Sequence, residues 1–197
     1  MLSDHAFQVN PRVAFQGEPG AFGDLAIQRA WPAGAIAVPC GTFDAVLDAL
    51  VAGAVDLAVV PVENLIVGPV AAALEALEGR ASLLEYASDL RLPVHHALMA
   101  PRGATLEGLR TVRSHPVALA QCQRFLTAHA WIAPVEHFDT AGAARDVAGD
   151  GDVTVGAIAS EAAAERYGLV VLAHGVQDAA DNWTRFVVLR RAGVRTA

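Results

Sequence analysis

The chain has few cysteines, few charges and no long apolar run, and each shortage narrows what it can be. Its two cysteines, Cys40 and Cys122, stand far apart and outside any CxxC or Cys/His spacing. Such usage fits a reducing compartment and supplies no metal site. No apolar stretch reaches the ~20 residues of a membrane-spanning helix and no charged-then-apolar leader opens the chain, so a cytoplasmic protein is expected. Charged residues make up only 18% of the 197, and the formal net charge is −7. The basic residues form no stripe of the kind that nucleic-acid phosphates require, so any anion bound here is small. A hydrophobic fraction of 54% excludes disorder, and the length suits one large domain or two small lobes, each with its own core.

Read in order, residues 1 to 11 form a loose arm and Arg12–Gln16 a first strand, which runs into the turn Gly17-Glu18-Pro19-Gly20-Ala21-Phe22-Gly23. A glycine-rich turn between strand and helix exposes backbone N–H groups and is a general anion site, but it equally serves only to reverse the chain. Helix is expected over 24–31, strand over 35–38, helix from the Thr42 cap to Val51, and an apolar strand over 55–60. Pro61-Val62-Glu63-Asn64 follows, beyond a strand end, where open parallel sheets hold their ligands; the plainer reading is a polar turn capping a helix over 69–77. Extended segments over 82–86, 90–93 and 94–99 lead to a second lobe. His95 and His96 alternate along one of them, which separates them onto opposite faces.

The second lobe repeats the alternation. A strand at Thr111-Val112 is followed by Ser114 or His115 as cap and by a helix from Pro116 to His129, with Gln121 beside its core face. A strand region over 131–138 leads to Asp139-Thr140-Ala141 and a helix over 142–148. A strand over 153–159, a helix capped by Ser160 and stopped by Gly168, and a strand over 169–172 complete the lobe. The helix starts at Ser114 and Thr140 each suit one carboxylate, although every helix of an α/β protein begins in this way.

The chain closes on Asn182-Trp183-Thr184-Arg185-Phe186, entering the apolar run 186–189. A hydroxyl beside a guanidinium and between two aromatic residues suits an anionic substrate, and it is also what a capped turn entering a last strand looks like.

Taken together, seven stretches resemble the catalytic domain of the prephenate/arogenate dehydratase family, in that family's order and over about residues 12 to 190. They are 16–22 (QGEPGAF), 61–64 (PVEN) with Gly68, 92–96 (LPVHH), 114–116 (SHP) with 120–122 (AQC), 139–144 (DTAGAA), 157–160 (AIAS) and 181–186 (DNWTRF). The resemblance implies an α/β fold of two lobes of the periplasmic-binding-protein type II kind with the active-site cleft between them. Lobe 1 is expected over 12–90 plus 175–191 and lobe 2 over 91–174, without the regulatory phenylalanine-binding ACT domain into which many members continue. It implies conversion of prephenate to phenylpyruvate, water and carbon dioxide in phenylalanine biosynthesis, with no cofactor and no metal. The alternatives are arogenate as substrate, or a weakened small-anion binding module on the same fold.

By the same resemblance Thr184, Arg185 and Glu63 are the expected catalytic residues, with Arg185 meeting either a substrate carboxylate or Glu63. Asn64, Ser114, Gln121, Thr140, Ala141 and Phe186 are the expected substrate contacts. Two positions depart from the family: Leu65 stands where a hydroxyl residue is usual, and Gly23 where serine or another polar residue is frequent. The expected partners are a small dicarboxylate and further copies of the chain, as a homodimer or higher homo-oligomer, with no nucleic acid and no membrane.

Overall fold

A computed structural model describes residues 10–193. Apart from Asn10 and Pro11, the arm expected at the N-terminus lies outside the described residues. The chain runs β1 (Arg12–Gln16), α1 (Phe22–Ala30), β2 (Ile36–Cys40), α2 (Phe43–Val51), β3 (Leu57–Asn64), β4 (Gly68–Pro69), α3 (Ala71–Glu78) and, after a 3-10 turn at Ala81–Leu83, β5 (Leu84–Pro93). It continues through β6 (Ala97–Ala100), β7 (Thr111–Ser114), α4 (Pro116–Ala120), α5 (Gln123–Ala128), β8 (Ala133–Glu136), α6 (Thr140–Asp150), β9 (Val155–Ala159), α7 (Glu161–Tyr167), β10 (Val170–Ala173) and β11 (Trp183–Arg191). No helix among the described residues is long and apolar enough to cross a membrane.

Two compact α/β units result, as the sequence leads one to expect. The first holds residues 10–17, Phe22–Pro93 and 183–193; the second holds Glu18–Ala21 and Val94–Asn182. The crossings therefore lie at Pro93–Val94 and Asn182–Trp183, later than the expected 90–91 and 174–175. The physical reason is strand pairing: Leu90–Pro93 stays in register with β11 to the end, Trp183 opposite Pro93. Residues 176–178, in turn, bond to His96 and Gln121 of the second unit.

In the first unit the sheet order is β2-β1-β3-β11-β5, with β4 added on β3. β1 runs parallel to β2 and β3, whereas β11 is antiparallel to both β3 and β5. Val46, Leu47 and Leu50 of α2 pack with Ala14, Ala58, Val60 and Ala73 to make the core. Each fully buried valine or leucine there contributes about 1.5–3 kcal/mol relative to exposure. The Thr42 hydroxyl accepts from the Ala45 N–H and starts α2 as expected.

The second unit orders its strands β10-β6-β9-β7-β8, with β7 parallel to β8 and β9, and β6 antiparallel to β9 and β10. Leu98, Leu109, Val112, Leu119, Leu126, Ile132 and Ile158 fill its core. Ser160 caps α7, and Gly168 ends it in the left-handed conformation, at φ 70°.

One expected element is divided. The single helix expected from Pro116 to His129 is interrupted at Gln121-Cys122, because Asp178 supplies a second N-terminal cap there. Its carboxylate accepts from the Gln123 and Arg124 N–H groups, and its own N–H donates to the Gln121 carbonyl. Conversely, the two segments read over 82–86 and 90–93 are joined in one strand, β5, which pairs with β11 along its length with one register shift at Val188/Leu189.

Candidate functional site

In the first unit the closing motif is built by antiparallel pairing of β11 with the end of β3. Thr184 lies opposite Asn64, and Arg185 opposite Glu63. Neighbouring residues of a strand face opposite sides of the sheet, so Thr184 and Asn64 share one face while Arg185 and Glu63 share the other. The expected catalytic trio is therefore split between two faces.

Asn64 is fully engaged. Its Nδ2 donates to Thr184 Oγ1 at 3.0 Å and to the Trp183 carbonyl at 3.2 Å, and its Oδ1 accepts from the Ile66 and Val67 N–H groups at 3.1 Å each. Two donors and two acceptor sites are all that a side-chain amide has. Asn64, expected as a substrate contact, instead ties the 65–67 turn to Thr184. Because Thr184 Oγ1 accepts from Asn64, its own O–H is not needed for that bond, and it has no acceptor among the described residues. Thr184 is 9% exposed. The arrangement presents a nearly buried hydroxyl as a donor.

On the other face Arg185 pairs through Nε with Asp89, which also accepts from the Tyr86 hydroxyl at 2.7 Å. Hydrogen bonds from Tyr86, and then Arg185, hold the Asp89 carboxyl below its ordinary value. Of the two roles expected for Arg185, the pairing with Glu63 is not formed among the described residues, its Nε being taken by Asp89. Phe186 is 2% exposed and belongs to the core, so it is no open aromatic wall. Trp183 is covered by the Arg91 guanidinium 4.3 Å from its ring centroid. At Gly23 space is tight: a Cβ there would stand 3.1 Å from Phe15 Cδ2 and 3.2 Å from its Cβ, and Phe15 is fully buried. Leu65 is 46% exposed beside the motif.

In the second unit Ser114 is also not an open contact. It is fully buried, and its hydroxyl donates to the Ile158 carbonyl at 2.6 Å. The cap of α4 is His115, whose Nδ1 accepts from the Val117 N–H. Ser114→Ala is accordingly expected to lower stability by about 1 kcal/mol while leaving KM nearly unchanged, which thermal melts and steady-state rates would check. A large KM effect with unaltered stability would make Ser114 a ligand after all.

At the start of α6 the cap is Asp139, one carboxylate oxygen accepting from Ala141 N–H and the other from Glu18 N–H. Ala141 is fully buried with its N–H so occupied, which leaves the half-buried Thr140 as the side chain here able to meet a ligand. The glycine-rich turn proves to be a fastening. The Gly17 N–H donates to Cys40 O and that of Ala21 to Glu18 O, while the Gly20 and Pro19 carbonyls accept from Ser160 and Tyr167. Gly20 is required at φ 88°, since a Cβ would lie 2.9 Å from the Ala163 Cα. The Glu18 carboxylate pairs with Arg145, which also holds Asp146, and Asp146 in turn bonds to His137.

Gln121 sits at the break between α4 and α5 and is 9% exposed. Its Oε1 lies 3.2 Å from His96 Nε2 and accepts from Asn182 Nδ2 at 3.3 Å. Neither His96 nor Asn182 was distinguished by sequence as serving Gln121. Adjacent Cys122 is no nucleophile: burial, and then Asp178, push its thiol up to about 12.

The family model for prephenate dehydratase matches residues 13–193, and the chain belongs to that family. It is 41% identical over 180 residues to arogenate dehydratase/prephenate dehydratase 2, chloroplastic, of Arabidopsis thaliana, covering 91% of this chain and 46% of that one. A crystal structure of prephenate dehydratase from Arthrobacter aurescens in complex with L-Phe superposes with a TM-score of 0.85 at 30% identity, over 94% of this chain and 63% of that one. A protein described as a novel type of quorum quenching acylase superposes at 0.81 with 37% identity, over 94% of this chain and 66% of that one. The chain thus spans less than half the length of that curated relative.

Proposed function

We propose that this chain dehydrates prephenate with loss of carbon dioxide, giving phenylpyruvate. The observation that carries the reading is the Thr184 hydroxyl, held as an acceptor by Asn64 and left with its proton to donate. In the reaction the ring carboxylate leaves as carbon dioxide, its bonding electrons enter the ring, and the C–O bond at the opposite carbon breaks. The departing hydroxide takes up one proton and becomes water. Aromatisation drives the step, so the protein needs chiefly to stabilise charge growing on the leaving oxygen. Thr184 is suited to donate a hydrogen bond to that oxygen; its high pKa makes it an orienting donor, with the proton ultimately drawn from solvent. Thr140 and Gln121 are the candidates for holding carboxylates. Arg185 supports the strand that carries Thr184 rather than contacting substrate.

Arogenate is the second reading, favoured by the name of the Arabidopsis relative. It carries an amino group where prephenate has a keto group, remote from the bond that Thr184 serves, so the same chemistry applies. Incubation with each compound, reading phenylpyruvate absorbance in alkali and phenylalanine by amino-acid analysis, decides between them. Turnover of neither defeats the dehydratase reading. Release of acid from an acyl amide would then favour the activity described for the acylase relative. The reading includes a reducing compartment, the cytoplasm, supported by the free thiols Cys40 and Cys122. It also includes assembly as a homodimer or higher homo-oligomer, which light scattering would test.

A further inference from the structure

We infer that His96 and Asn182 are positioning residues that lock the Gln121 side chain with its nitrogen end toward the ligand, where it reads a carboxylate oxygen of the substrate. The inference rests on the dehydratase reading for the ligand's chemistry, while the lock itself stands on the geometry of the second unit alone.

An amide oxygen accepts two hydrogen bonds, and that of Gln121 has both partners: Asn182 Nδ2 at 3.3 Å and His96 Nε2 at 3.2 Å. The Gln121 nitrogen has no partner among the described residues and is not one of the sealed, unsatisfied side-chain atoms. His96 is 3% exposed and Asn182 2%, so neither can turn toward solvent for an alternative bond. Their backbones are held as well. The Val176 N–H donates to the His96 carbonyl, Gln177 Oε1 accepts from the His96 N–H, and the Val94 N–H donates to the Asn182 carbonyl; the Asp178 N–H likewise donates to the Gln121 carbonyl.

The opposite arrangement, with Gln121 donating inward, would require Asn182 to turn over. Its NH2 would then occupy the place of Oδ1, a sealed position without a partner. A carbonyl left short of a partner is tolerated better than an orphaned N–H donor, so the amide stands as described. His96 must then carry its proton on Nε2 to donate to Gln121. Burial, which holds its ring below the ordinary imidazole value, keeps it neutral near pH 7. A dicarboxylate offers acceptors only, and a locked N–H pair is the matching group.

The test has two independent arms on the 197-residue chain. Nitrogen-15 NMR of the ligand-free protein should show His96 as the neutral Nε2–H tautomer, and titration with phenylpyruvate should shift the Gln121 side-chain NH2 signals. An Nδ1–H tautomer, or an unmoved Gln121 amide at saturation, overturns the proposal. The kinetic arm uses whichever of prephenate and arogenate the wild type turns over. His96→Leu and Asn182→Asp should each raise KM about tenfold while kcat stays within about threefold. His96→Gln, whose side-chain N–H reaches the place of Nε2, should restore KM and covers the case in which the leucine variant does not fold. Unchanged KM in folded His96→Leu, or failure of His96→Gln to restore it, likewise overturns the proposal. If the wild type turns over neither compound, the dehydratase reading fails while the NMR arm still decides the lock.

Discussion

Replacing Thr184 by alanine should leave the protein folded and cut kcat by about 10²-fold or more, the scale of losing a positioned donor at a developing oxyanion or proton-transfer step. The structure says why the fold survives. Thr184 Oγ1 is an acceptor for Asn64 Nδ2, but that nitrogen also donates to the Trp183 carbonyl, so its loss orphans no sealed group. The stability cost is then about 1 kcal/mol, the worth of one ordinary hydrogen bond. Thr184→Ser keeps the hydroxyl and the Asn64 bond and should retain much of the activity, losing only the methyl that limits its rotamers. Steady-state rates on prephenate and arogenate together with thermal melts check both variants. Equal kcat for alanine and threonine would remove the hydroxyl from the chemistry.

The alternation of strand and helix was legible because both units follow simple local rules. Apolar runs such as Leu57–Val60 read as buried strands, and Thr42, Asp139 and Ser160 read as caps, each accepting the N–H of a residue two or three further on. What did not read was set by partners distant in sequence. Asp178 divides the helix after Gln121, and nothing within 116–129 announces a cap arriving from more than 50 residues away. Likewise β5 and β11 are longer than their apolar cores suggest, because each is the other's partner through nine residue pairs and propensity enters little.

The site was legible as a set of residue types and not as geometry. Strand register decides that Thr184 meets Asn64 while Arg185 turns to the other face, and register is a property of the pair β3 and β11, invisible in either alone. The family motifs named Ser114 and Phe186, yet a motif does not separate a residue that touches ligand from one that supports the shell around it. In the structure both are closed off from solvent, and the Ser114 hydroxyl is committed to a backbone carbonyl. Asn182 sits inside the most recognisable motif, and its bond to Gln121 spans 61 residues, so only the folded unit brings out its role.

Register also gives the second large effect, at Asn64. Asn64→Asp keeps an acceptor for the Ile66 and Val67 N–H groups, so the 65–67 turn should persist, but it replaces a donor to Thr184 by an acceptor. The Thr184 hydroxyl then donates to the introduced carboxylate, and its proton is no longer available to the leaving oxygen. We expect kcat to fall by about 10²-fold with KM changed less than about threefold, the pattern of an interaction made only in the transition state. A direct substrate contact would behave differently, since its loss raises KM first. The pH profile adds a sign. The introduced carboxyl has a pKa set by desolvation and the adjacent Trp183 carbonyl, which favour the protonated form, against the Ile66 and Val67 N–H groups, which favour the ionised form. As pH falls through that value the carboxyl regains a proton and can donate again, so the variant's kcat relative to wild type should climb toward acid and flatten where the carboxylate is fully ionised. Asn64→Ala, which removes the turn's acceptor as well, should lower the melting temperature and show no such recovery. A variant Asn64→Asp with wild-type kcat, or with its whole defect in KM, would return Asn64 to the role of a substrate contact and leave Thr184 without its positioning partner.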